Sequence, residues 1–235
     1  MQFSTPLVPA TLIKRYKRFL ADCILENGDI VTAHCANTGA MTGLKDEGLR
    51  VWLEPNDDPK KKLNYSWKFV ELANGHFAGI DTALTNRLVK EALLAKHIPT
   101  LAPYAHIRPE AKYGTGSRID FLLTDDARPD CYVEVKNVTL TAPDGWAEFP
   151  DTVTERGTKH LNELTEMVRQ GHRAVMLYLV QRTDCDKFRL AHALDPAYSA
   201  AYKTAIAAGV ETLAYACDIT PTDIKLANAL PVKQN

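Results

Sequence analysis

The sequence contains no uninterrupted apolar run near the roughly 18–20 residues that span a bilayer, so no membrane-crossing helix is expected. The opening residues Met1-Gln2-Phe3-Ser4-Thr5-Pro6 lack a basic stretch followed by an apolar one, which argues against a secretory signal. A cytoplasmic protein with no membrane partner is the expectation. Cysteine is sparse and unpatterned: Cys23, Cys35, Cys131, Cys185 and Cys217 are odd in number, widely spaced and form no C-x-x-C pair. That excludes a structural zinc knuckle or a disulfide framework and reads as small buried hydrophobes in a reducing compartment. An excess of either charge is also missing, since 28 Lys and Arg against 29 Asp and Glu leave a net charge of −1. A histone-like polycation is thereby excluded, but a local basic patch for nucleic acid is not. There is no internal repeat and no low-complexity tract.

What is present is an ordinary globular composition, 46% hydrophobic and 24% charged, in 235 residues. That length allows one large or two smaller domains with normal cores. The character of the chain changes near Asp81–Asn86, which divides it into residues 1–83 and 84–235. Before the change come short strand candidates: Lys14–Leu25, Ile30–Cys35, Arg50–Leu53, Ser66–Leu72 and Phe77–Ile80. Glu26-Asn27-Gly28-Asp29 supplies turn chemistry between the first two. Five strands in about 80 residues, with no long helix, predict a small OB-like barrel. Trp52 and Trp67 are expected in its core, and the loop Asn37–Gly43 is expected to be exposed.

After the change, helices alternate with strands. Apolar residues at 88, 89, 92 and 93 predict a helix over Asn86–Ala95, capped by Thr85 or Asn86. Strands are expected at His106–Glu110, Arg118–Leu123, Cys131–Val138, Ala174–Val180 and Val210–Cys217. Helices are expected at Thr154–Gln170 and Pro196–Ala208, each stopped by a glycine. Pro109 argues for an edge position, and the apolar run Ala174–Val180 for a strand buried on both faces. The order describes a mixed sheet flanked by helices, so the chain as a whole reads as α+β with an α/β second domain.

The chemistry concentrates in Ser117-Arg118-Ile119-Asp120-Phe121 and Tyr132-Val133-Glu134-Val135-Lys136. Strand alternation places Glu134 and Lys136 on one face, and Ile119 and Phe121 together opposite Asp120. A hairpin would bring Asp120 beside Glu134. Two adjacent carboxylates repel unless a cation lies between them, and Mg²⁺ binds through one or two carboxylates plus phosphate and water. Such a metal activates water and polarises a phosphoryl group, while a lysine orients the water or steadies developing charge. The set suits phosphodiester hydrolysis, although E-x-K on a half-exposed strand is also a common salt bridge. Glu91, on the first helix, either approaches the same metal or is solvated beside Lys90. Glu110 is read as a surface residue. Arg156, Lys159, His160 and Glu163 share a helix face, which either contacts a phosphate backbone or is simply solvated. No other histidine is spaced to pair with His160, so no metal role is expected for it. In the first domain, Lys14, Arg15, Lys17 and Arg18 alternate with Tyr16 and Phe19, a pattern that offers phosphate contacts and stacking surfaces or protects a strand edge.

Longer stretches carry a family resemblance. Leu7–Phe19, His34–Met41, Tyr113–Leu123, Tyr132–Leu140, Phe149-Pro150-Asp151 with Thr154–Gly157, and Val180–Asp184 resemble, in order and over nearly the whole chain, the sugar fermentation stimulation protein A (SfsA) family. The resemblance implies an OB-like N-terminal barrel and a C-terminal domain of the PD-(D/E)XK nuclease-like fold. It implies binding of DNA, mainly without sequence specificity, and a regulatory link to sugar use, maltose in particular. The nuclease superfamily's acidic motif falls on Asp120, Glu134 and Lys136, and its helix glutamate on Glu91. The expected cofactor is Mg²⁺, held by Asp120, Glu134 and Glu91, and the alternative activity is a Mg²⁺-dependent DNA endonuclease. No helix-turn-helix signature is present, which weakens a simple transcription-factor reading. A homo-oligomer remains compatible with the sequence.

Overall fold

The computed structural model of the chain describes residues 1–114 and 116–233, with backbone alone at Asn74. Thr115, inside the Tyr113–Leu123 stretch, lies outside the described residues.

Alternation builds the first unit. Strands β1 (Val8–Tyr16), β2 (Leu20–Leu25), β3 (Ile30–Cys35), β4 (Arg50–Pro55) and β5 (Tyr65–Glu71) run in the order β3-β2-β1-β4-β5. A parallel pairing of β3 with β5 closes them into a barrel. Residues two apart point inward on each strand: Ala10 and Leu12, Ala21 and Cys23, Ala33 and Cys35, Val51 and Leu53, with Trp67 filling the centre. This is the OB-like barrel expected. A short β6 (Phe77–Gly79) extends the sheet from β5.

Three local expectations change. Lys14–Leu25 is two strands, because Lys17 and Arg18 adopt positive φ of 47° and 63° and turn β1 into β2. The Asn37–Gly43 loop is not simply exposed: Met41 is buried in the barrel, and buried Asn37 donates from Nδ2 to the Ile80 carbonyl at 3.1 Å. Trp52 is only half-buried, its indole N–H donating to Glu71.

The second unit begins with α1 (Ala83–Leu94), three residues earlier than the periodicity suggested. Asp81 accepts from the Ala83 N–H, which frees Asn86 from a capping role. There follow β7 (His106–Tyr113), β8 (Ser117–Asp125), β9 (Arg128–Val138), β10 (Leu140–Ala142), β11 (Trp146–Phe149), α2 (Glu155–Arg169), β12 (Arg173–Val180), β13 (Lys187–Leu190), α3 (Pro196–Ala208), β14 (Glu211–Ile219), β15 (Ile224–Ala229) and β16 (Val232–Lys233). Six of these strands form a mixed sheet in the order β15-β14-β12-β9-β8-β7, with β9, β12 and β14 parallel. Central β12 is buried on both faces and β7, with Pro109, is an edge, as its residues imply. One face packs on α1 through Leu88, Val89 and Val133. The other packs on α2 and α3 through Leu161, Leu164 and Tyr198.

Strand β15 and the small sheet β10-β11-β13-β16 were not anticipated. Their strands are mostly two to four residues long and carry too few alternating apolar positions to show a period. The two units share a core, since Phe69 of β5 packs with α1 residues and edge-to-face on Phe3, ring centres 5.2 Å apart. All five cysteines are free and buried.

Candidate active site

The site forms where the β8–β9 ladder stops. Pairing runs through Leu123↔Cys131 to Phe121↔Val133 and ends there. Beyond it, the Asp120 carboxylate replaces the ladder: Oδ2 accepts the Val135 N–H at 2.7 Å, and Oδ1 accepts from Asn86 Nδ2 of α1 at 2.7 Å. The expected alternation breaks at the same place. Ile119 joins the α2 side of the sheet and Phe121 the α1 side. Glu110, opposite Asp120 on β7, has a φ of +53°. Pro109 and Ala111 pair on either side of it, so the irregularity sits inside a continuous β7–β8 ladder.

Regular β9 presents Glu134 and Lys136 on one face, beneath α2. Helix α2 is brought close at its start. Thr154 caps it by accepting the Gly157 N–H, and Asp195, the cap of α3, accepts the Thr154 N–H at 2.8 Å. Gly157 is needed because a Cβ there would come within 2.9 Å of the Tyr198 ring. One turn on, His160 donates from Nδ1 to Glu134 Oε1, and Lys136 Nζ lies 2.5 Å from the same oxygen. Arg156 Nε donates to His160 Nε2 at 3.4 Å, and Lys136 Nζ stands 3.1 Å from His160 Nδ1.

The electrostatics separate the two carboxyls. Burial raises the Asp120 pKa and nearby Glu134 raises it further, against the Val135 and Asn86 hydrogen bonds. Burial also pushes Glu134 up, but the hydrogen bond from His160 and the charge of Lys136 outweigh it and hold Glu134 below its ordinary value. Glu134 is 3% exposed, and its second oxygen, Oε2, is buried with no hydrogen-bond partner. A buried, ionised oxygen without a donor is costly, and a cation is the partner that suits it. Asp120, Glu134, water and a phosphate oxygen make a hard, all-oxygen donor set of the kind Mg²⁺ and Ca²⁺ accept. Among the described residues, no group of three or more His, Cys, Asp or Glu is placed to hold a metal, so protein ligands supply only part of such a shell.

Around the carboxylates lies an open cleft. Thr82, Asn86, Asn137, Arg156 and His160 line one part of it, and Glu110, Arg118, Arg156 and Lys159 the next. The structure therefore brings together Asp120, Glu134, Lys136, Arg156 and Lys159. Glu91 is elsewhere: its carboxylate is 56% exposed and pairs with the Met1 amino group at 3.3 Å. Asn86, not Glu91, is the α1 side chain that reaches Asp120. The basic run of the barrel also divides. Arg15 is tied down, donating to the Asn37 carbonyl at 2.7 Å and the Arg18 carbonyl at 3.1 Å. Lys14 lies 3.7 Å from Asp22, and Lys17 and Arg18 are exposed at the hairpin tip beside Phe19, 49% exposed.

Sequence reasoning named His160 and Asn86 but missed their roles, His160 as the partner of Glu134 and Asn86 as that of Asp120. The i, i+4 spacing of Arg156 and His160 was the available signal for the first. It also missed a basic cluster on the small sheet, where Lys187, Arg189 and Lys233 lie 5.1, 5.0 and 5.9 Å from the Trp146 ring centre. No helix of the described chain is long and apolar enough to cross a membrane.

Comparison with known proteins agrees over the full length. Residues 13–80 match the profile of the SfsA N-terminal OB domain, and residues 83–223 that of the sugar fermentation stimulation protein RE domain. The sugar fermentation stimulation protein homolog of Ruegeria sp. (strain TM1040) is 63% identical over 231 residues, covering 98% of this chain and all of that one. The homolog of Roseobacter denitrificans is 59% identical over 234 residues, covering 99% and 100%. Among solved structures, Pyrococcus furiosus SfsA in complex with Ca²⁺ superposes with a TM-score of 0.88 at 27% identity, over 99% of this chain and 98% of that one. With both domains matched in order and the site on the second, the chain belongs to the sugar fermentation stimulation protein family.

Proposed function

We propose that this protein binds DNA, mainly without sequence specificity, and that its nuclease-like α/β domain hydrolyses phosphodiester bonds with a divalent cation. The observation that carries the reading is the convergence of Asp120, Glu134 and Lys136 in a basic-walled cleft, with Glu134 Oε2 buried and unpartnered. Asp120 and Glu134 would hold the cation. A bound Mg²⁺ supplies charge to the phosphoryl oxygens and lowers the pKa of a bound water. The chain does the rest: Lys136 donates toward the reacting phosphate or its water, and Arg156 and Lys159 grip flanking phosphates. His160 holds Glu134 by one oxygen and leaves the other free. The Ca²⁺ complex of the Pyrococcus relative supports divalent binding on this fold. The family's name fits a regulatory role through DNA.

A second reading, binding without cleavage, is favoured by the direct Lys136–Glu134 ion pair, which neutralises the glutamate without a metal. End-labelled single-stranded and duplex DNA, incubated with EDTA, Mg²⁺ or Mn²⁺, separates the two. Metal-dependent cleavage lost in Glu134→Gln is the result expected. Tight binding with no cleavage under any metal would sustain the second reading, and equal cleavage by Glu134→Gln would remove this site.

A further inference from the structure

Between barrel and α/β domain lies a hollow of about 160 Å³ that no role above uses. Its walls come from the Asn37–Gly39 loop, Thr82, the end of β9 with Thr139, and the Glu148–Asp151 segment. Asn137 and Thr82 line both this hollow and the carboxylate cleft, so the two adjoin.

The chemistry of the two spaces differs. The cleft carries Arg118, Lys136, Arg156 and Lys159. Among the described residues no Lys or Arg lines the hollow, which offers amides, hydroxyls and the carboxylates of Asp151 and Glu148, while Arg15, Arg182 and Arg189 bond to Asn37, Thr139 and Glu148 of its walls. Glu148 is already taken by Arg189, at 2.6 Å. Asp151 is not neutralised: among its described contacts its only hydrogen bond is Oδ2 accepting the Ala40 N–H at 3.1 Å, which leaves Oδ1 available. The loop is built around that carboxylate. A Cβ on Gly39 would come within 2.8 Å of Asp151 Oδ2 and 3.0 Å of Asn37 Oδ1. Asn37 is itself fixed, donating to Ile80 and accepting from Gly39. Asn137 is oriented by Gln181, whose Nε2 donates to its Oδ1 at 2.6 Å; its own amide N–H groups are thereby turned away from that partner.

With no cation in its lining, the hollow suits a phosphate less well than a flat, neutral group with N–H donors and carbonyl acceptors. Phe149, in the same wall, adds an apolar surface. At about 160 Å³ the hollow has roughly ten times the space that one water needs, so a small ring can enter. We propose that this hollow receives an unpaired nucleobase of the bound strand while its phosphate lies in the adjoining cleft, so that the preferred substrate is single-stranded or locally unpaired DNA. A stacked duplex holds its bases out of reach of such a pocket, and only extrusion or single-strandedness delivers one. This deepens the function proposed above and rests on it.

The test uses the full-length protein in EDTA and a duplex with one central unpaired nucleotide, either 2-aminopurine or an abasic site, so that the flanking helices fix where the unpaired position lies. The unpaired 2-aminopurine should change its emission on binding more than a paired one at the same place, and the abasic site there should weaken binding about fivefold to tenfold. Asp151→Asn keeps an acceptor for the Ala40 N–H and should abolish the difference between that abasic duplex and the intact one. Thr38→Leu, at an exposed wall position, should do the same by bulk. An unpaired 2-aminopurine that responds no more than a paired one, or a fully paired duplex of equal sequence binding as tightly as the one with the unpaired nucleotide, overturns the pocket and leaves the DNA-binding reading standing. No binding of any such DNA overturns that reading, and the pocket with it.

Discussion

Glu134 sits at the centre of the chemistry, and what surrounds it decides how the site works. Its Oε1 is shared by Lys136 and His160, and His160 is in turn held by Arg156. A residue that fixes a ligating carboxylate without touching the cation typically governs affinity by 10–100-fold. His160→Ala is therefore expected to weaken Ca²⁺ binding about that much by calorimetry, while His160→Asn, which keeps a donor, recovers part of it. Equal affinity in both variants would mean His160 only packs. At the start of α1, Lys68 is buried between Glu54 at 3.1 Å and Asp81 at 2.7 Å. Burial pushes the Glu54 carboxyl up from 4.5, but Ser4 and Lys68 outweigh it and hold it lower. The unfolded chain then takes up that proton at higher pH than the folded one. Stability from Glu54 is complete above about 4.5 and lost as pH falls through its depressed folded value. Thermal melts below pH 4.5 should show a shallower acid loss for Glu54→Gln than for the parent, and parallel curves would contradict the assignment.

At the scale of elements, cations that look alike in sequence do different work. Arg156 and Lys159 stand one turn or less from His160 on the cleft side of α2, and Lys17 and Arg18 on the tip of the β1–β2 hairpin. Each phosphate contact adds about 0.9 to the slope of log affinity against log salt on duplex DNA. Alanine at both Arg156 and Lys159 should therefore flatten that slope by about 1–2. Arg15→Ala should leave the slope alone and cost about 1 kcal/mol of stability, because it loses backbone hydrogen bonds rather than phosphates. Arg15 shows why the sequence misleads here. The run Lys14–Phe19 alternates like a strand, and only the positive φ at Lys17 and Arg18 sends its cations in different directions. Elements with a long period were legible: α3 has the bounds its residues imply, and β12 reads directly from its apolar run. Elements held by pairing alone, such as β11 or β16, leave no such mark. At the site, Glu134 and Lys136 could be found from strand parity, and Asp120 only as their hairpin neighbour, since the alternation breaks there. Asn86 could not, because it acts through a helix start set by Asp81, and Glu91, given a metal role by the family resemblance alone, pairs instead with the Met1 amino group.

The whole molecule is two architectures with one apolar continuum. Phe69 belongs to a barrel strand by sequence and to the α1 core by contact, and it is fully buried. Backbone bonds from Gly79 to Gln181 and from Thr183 to Phe77 stitch the units beside it. Phe69→Ala should cost about 3–5 kcal/mol, and urea unfolding followed by far-UV circular dichroism and by tryptophan emission should show one coincident transition in parent and variant. Two separated transitions in the parent would mean that the barrel and the α/β domain melt independently. The hollow depends on this union, since Asn37 of the barrel and Asn137 of the α/β domain both line it.

The buried cysteines turn the chain into its own reporter of opening. Cys23 and Cys35 lie in the barrel, Cys131 and Cys217 in the α1-side core, and Cys185 beside the small sheet. Burial pushes the Cys23 and Cys131 thiols up to about 12, so in the closed molecule they are protonated as well as shielded. A maleimide added to the native protein thus has nothing to react with until a segment lets go. The order in which the five become alkylated, read by peptide mass, is a map of which part of the molecule breathes first, written without introducing a single label.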